Sequence, residues 1–140
     1  MKKIFIILFF ISIVLTKETK AQGVLDTLAY LNTIVTNKSN YIGQSFSVLY
    51  NNLQIQIKYF SPFSAIHYDK SKETSTEFCF YFPQNEDEIY LTYPSLEIYW
   101  QPYLNAAQSD VLFGNTGGGW TTSVANFYAN GIIADIKVRE

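Results

Sequence analysis

Val24, Leu25, Leu28, Leu31, Ile34 and Val35 recur at spacings of three and four, which gathers them on one stripe of a helix. Asp26 stands in its first turn, where the helix dipole favours an acid. Asn37 to Asn40 breaks the pattern, and Phe46, Leu49, Tyr50 and Leu53 predict a second, shorter helix capped near Gln44 or Ser45. After Asn51-Asn52 the period drops to two. Leu53 to Tyr59 alternates strictly, which predicts a half-buried strand with Ile55, Ile57 and Tyr59 inward and Gln54, Gln56 and Lys58 toward water. Ser61-Pro62 reads as a turn before a short strand from Ala65 to Tyr68. Asp69 to Thr76, charged and rich in hydroxyls, reads as a loop. Glu77 to Phe82 predicts a strand with Phe78, Phe80 and Phe82 on one face, and Cys79 and Tyr81 on the other.

Gln84 to Glu88 is the next expected loop, and Ile89 to Tyr93 and Leu96 to Gln101 form an expected antiparallel pair interrupted by Pro94-Ser95. Gln101-Pro102 ends that strand. Tyr103 to Phe113 has no clear period and leaves room for a short helix around Leu104 to Ala107, and Gly114 to Gly119 reads as a loop. Trp120, Val124, Phe127 and Tyr128 return to helical spacing, Asn130-Gly131 stops them, and Ile132 to Val138 alternates as a final strand with Asp135, Lys137 and Arg139 in its polar set. The order predicts an α+β fold: two N-terminal helices, a mostly antiparallel sheet of about five or six strands, and one helix before the C-terminal strand.

The chain opens differently. Met1-Lys2-Lys3 is a short basic segment, Ile4 to Leu15 is apolar except for Ser12, and a polar stretch containing Thr19 closes on Ala21. That is the three-part pattern of a secretory signal peptide. The apolar run is shorter than the roughly twenty residues that span a bilayer, so removal rather than stable membrane insertion is expected. The expected organisation is a signal peptide over 1–21 and a single α+β domain over 22–140, exported to a periplasm or secreted. Usage rich in Ile, Asn, Lys, Tyr and Phe suggests a bacterial source.

Export changes the charge. The precursor has a formal net charge of −2, and loss of Lys2, Lys3, Lys17, Lys20 and Glu18 leaves six basic residues against eleven acidic, a net charge of −5. Nucleic acid draws its affinity from clustered cations, so it is excluded as an expected partner. Cys79 is the only cysteine, which leaves no intramolecular disulfide and puts stability on packing.

Chemistry-bearing residues are sparse. His67 is the only histidine, and on a strand it shares a face with Asp69 but not with Ser64, which makes a local triad awkward. Cys79 sits between Phe78 and Phe80, where apolar neighbours suppress the thiolate. Glu86-Asp87-Glu88 lacks the spacing and glycine of a calcium loop. Gly114-Asn115-Thr116-Gly117-Gly118-Gly119 could offer amides to an anion but lacks the ending of a phosphate loop. These residues assign no catalytic role, no metal and no cofactor. Aromatics are the richer signal. Tyr99, Trp100, Tyr103 and Trp120 are the candidate ligand- or partner-binding residues, since exposed Tyr and Trp suit both protein interfaces and sugar-stacking platforms. The leading expectation is an exported, non-enzymatic domain that binds another protein. A carbohydrate- or small-ligand-binding module with an aromatic cleft is the alternative, and a hydrolase using carboxylates such as Glu77 and Glu97 is the third.

Overall fold

The computed structural model describes residues 26–82 and 93–140. The expected signal peptide, the Glu86-Asp87-Glu88 loop and most of the strand expected over Ile89 to Tyr93 lie outside the described residues. Helix α1 (Thr27–Thr36) is followed by a short 3-10 turn (Lys38–Asn40), α2 (Phe46–Asn52), β1 (Tyr59–Phe63), β2 (Lys72–Cys79), β3 (Ser95–Asn105), α3 (Ala106–Thr116), α4 (Thr122–Tyr128) and β4 (Ile133–Arg139). The strands form one antiparallel sheet in the order β1-β2-β3-β4.

The α+β class and the antiparallel sheet agree with the sequence reading, and the details differ. Among the described residues the sheet has four strands, not five or six, and two helices rather than one lie between β3 and β4. Asp26 precedes α1 as its N-cap, its Oδ1 accepting the Ala29 N–H at 3.0 Å, instead of lying within the first turn. Ile55 and Ile57 are buried and Gln54, Gln56 and Lys58 exposed, as the alternation requires, but Tyr59 is half-buried on the outer face with Phe60 inward instead, and the stretch before Tyr59 forms no ladder, β1 beginning only there. Alternation reports which side chains are buried; it does not by itself report pairing. Ala65 and Ile66 are irregular and His67-Tyr68 a turn, not a strand.

The stretch Asp69 to Thr76 is the sharpest correction. From Lys72 onward it is strand β2, and Glu73, Thr74, Ser75 and Thr76 are all buried. Polar side chains survive inside because each finds partners. Thr74 Oγ1 accepts the Ala65 N–H and donates to the Phe63 carbonyl, Ser75 donates to Glu97, and Thr76 donates to Glu73 while accepting the Trp100 indole N–H.

Cross-strand register sorts the side chains. One face carries the rows Phe60, Phe78, Leu96, Val138 and Pro62, Thr76, Ile98, Ile136. Leu31, Ile34, Phe46, Leu49, Val124 and Tyr128 from the helices join these residues in a single core. The outer face carries Tyr59, Cys79, Ser95, Arg139; then Ser61, Glu77, Glu97, Lys137; then Phe63, Ser75, Tyr99, Asp135.

Both sheet edges are blunted. Along β1, Trp120 N–H donates to the Lys58 carbonyl and Phe60 N–H to the Gly118 carbonyl, and Pro62 has no N–H to offer. Along β4, Ile133 exchanges bonds with Gly43 and Gln44, and the Ile136 N–H is taken by its neighbour's carboxylate, Asp135 Oδ1, at 2.9 Å. The same Asp135 forms an ion pair with Lys38.

Candidate functional site

The described residues form a groove of about 590 Å³ on the outer face, at one end of the sheet. A mismatch between β2 and β3 builds it. Ser75 pairs with Tyr99 and Glu73 with Leu104, so Thr74 alone stands opposite the four residues Trp100 to Tyr103. The surplus chain bulges outward and makes one wall from Gln101 and Tyr103; the cis Gln101-Pro102 bond lies within it. Phe63 and Ser64 to Ile66, where the chain leaves β1, make the other wall, and Ser75, Glu97 and Tyr99 make the floor. Bulges of this kind re-aim side chains and recur beside functional sites.

Glu97 anchors the floor. It is 4% exposed, with Oε1 accepting Ser75 Oγ–H at 3.0 Å and Oε2 accepting Tyr99 O–H and Arg139 Nε–H, each at 2.9 Å. Burial pushes its carboxyl up, but Arg139, Tyr99 and Ser75 together outweigh that and hold it below the usual range. The Arg139 guanidinium crosses the face to sit 5.7 Å from the Phe63 ring centre, and Lys137 Nζ sits 4.4 Å from that of Tyr99.

The four candidate aromatics separate. Tyr99 floors the groove and Tyr103, 51% exposed, rims it. Trp100 touches the same groove but is a core residue at 1% exposure, with its ring packed against Tyr128. Trp120 lies elsewhere, in a smaller depression with Tyr50 and Lys58, and its indole N–H donates to Tyr50 OH at 3.2 Å. Sequence reasoning missed Phe63, because Ser61-Pro62 reads as a turn. It also missed Arg139 as a groove residue, although the alternation of the last strand already set Asp135, Lys137 and Arg139 on one polar face.

His67, Cys79, Glu77 and the glycine stretch lie outside the lining of the groove. His67 is exposed in the β1–β2 connection, and Asp69 is engaged with Ser71 and Lys72. Burial pushes the Cys79 thiol up to about 12, with Glu77 adding to the effect, so the thiolate is scarce at neutral pH. Glu77 and Glu97 are direct cross-strand neighbours. A general acid needs a raised pKa, and Glu97 is held the other way. The glycine stretch caps α3: Gly117 and Gly118 take positive φ, both amides point back to the Phe113 carbonyl, and the Gly118 carbonyl clamps β1. Among the described residues no helix is long and apolar enough to cross a membrane. Comparison with protein-family models, with curated proteins and with solved structures finds no match, so the reading of this groove rests on its own geometry.

Proposed function

We propose that this chain is an exported, non-enzymatic domain that binds another protein, and that it does so through the groove on the outer face of its sheet. The carrying observation is the exposure of apolar rings around one concave site. Phe63 is 40% and Tyr103 51% exposed on facing walls, and Tyr68, at 95%, stands in the connection that continues the Phe63 wall. Rings of this kind supply most of the energy at protein interfaces, where a few buried aromatic anchors dominate. With both sheet edges blunted, strand addition is disfavoured, which supports a partner on the face rather than the edge.

The test is recovery of the protein from its native compartment by native mass spectrometry, with wild type compared to Phe63→Ser and Tyr103→Ser. A stoichiometric protein adduct lost in both variants is the expected result. A free monomer in all three cases contradicts the reading.

One observation favours a second reading, a glycan occupant: Tyr103 and Gln101 stand side by side on a wall above a floor with Tyr99 and the Glu97–Arg139 pair, a ring platform beside polar groups. Saturable NMR shifts at Tyr99 to Tyr103 on adding cell-wall oligosaccharides, with no protein adduct, would select it.

A further inference from the structure

We infer that the groove recognises a carboxylate, that of an acidic side chain in an extended segment of the partner, through the outward edge of the Arg139 guanidinium. This deepens the protein-binding reading and rests on it. Arg139 is held at two points, by Nε donating to Glu97 and by the Phe63 ring beneath the guanidinium. Its two Nη groups make no hydrogen bond among the described residues, and its side chain is half exposed. An arginine with one edge tied down and the other open is oriented in advance for bidentate carboxylate binding.

Arg139 lines the groove, Lys137 Nζ bonds Tyr99 OH at 3.3 Å, and Lys70 Nζ bonds the Ser64 carbonyl at 3.2 Å. Among the residues that line the groove, Arg139 and Glu97 carry opposite charges, and Glu77 and Asp135 stand on the same face, Asp135 paired with Lys38. Both Glu97 oxygens are already engaged, which leaves little acceptor capacity for a cationic ligand. Phe63, Ile66 and Tyr103 then receive the apolar residue beside the acid.

A random-peptide phage library selected against the purified full chain tests this. The expected result is peptides that pair an Asp or Glu with an aromatic or branched residue. Binding should fall about tenfold or more on Arg139→Gln, and equally on Glu→Gln in the peptide, with no additional loss when both changes are combined. The peptide-side change leaves the protein intact, so it decides the matter even if Arg139→Gln, which strands buried Glu97, fails to fold. Peptides that lose binding on Tyr103→Ser but carry no acid, or tolerate its amide, overturn the carboxylate while leaving the protein-binding reading standing. Recovery of no peptide, or only of peptides indifferent to Tyr103→Ser, overturns both.

Discussion

Glu73 is a carboxylate in the core. Its Oε1 accepts Tyr128 O–H at 2.9 Å and the Thr76 hydroxyl, while Oε2 is buried without a partner. Burial raises its pKa more than Ser109, Thr76 and Tyr128 lower it, and Asp110 adds a smaller upward push. The folded state therefore holds this proton more tightly than the unfolded chain does. The resulting contribution is fully present below the ordinary carboxylate pKa and is lost as pH rises through the raised folded value, at about 1.4 kcal/mol per pH unit between the two. Urea midpoints of wild type and Glu73→Gln, measured across pH, should coincide in acid and separate above it, with the variant more stable at neutral pH. Two curves that run parallel would contradict a buried, proton-holding Glu73. Beside it, Trp100→Phe should cost about 2–4 kcal/mol in the same assay, because it removes core volume and leaves Thr76 Oγ1 without its indole donor.

At the scale of elements, the turn after α3 locks an edge of the sheet. Gly118 has φ +80°, and a Cβ there would fall 2.1 Å from the Tyr59 ring; Gly117, at φ +60°, has open space. Gly117→Ala should thus cost only the left-handed penalty of about 1–2 kcal/mol, and Gly118→Ala distinctly more, in matched denaturation curves. Equal losses would mean that the clamp on β1 does not depend on close approach. On the other edge, Asp135→Ala should free the Ile136 N–H and promote concentration-dependent association, seen by sedimentation. Lys38 holds the Asp135 carboxyl below its usual range, so its contribution is present above the ordinary carboxylate pKa and lost as pH falls through the lowered value.

Those two edges also show where the sequence was readable. Helices α1, α2 and α4 and strand β4 follow from apolar period, because each has one buried side and one wet side. Strand β2 does not, since Glu73 to Thr76 are buried polar residues whose partners, Trp100, Glu97, Tyr128 and Ala65, are remote in sequence. Helix α3 is hidden for another reason: Val111 is apolar but 62% exposed, and Gly114, Asn115 and Thr116 within it read as a loop. Tyr99 and Tyr103 were legible as candidates. Their convergence with Phe63 and Arg139 depends on the surplus residues Trp100 to Tyr103, a mismatch that only pairing reveals.

At the largest scale, among the described residues one core consumes Trp100 and most of the apolar rings, the sheet edges are blunted, and the groove is an open aromatic feature of the outer face. The most direct test places a photo-crosslinking amino acid at Tyr103, with Val111 as an exposed control on α3, in the protein within its native compartment. A discrete adduct with one protein at position 103 and none at 111 is the predicted result. Adducts of equal yield at both positions, or at neither, would contradict a protein-binding groove on this face.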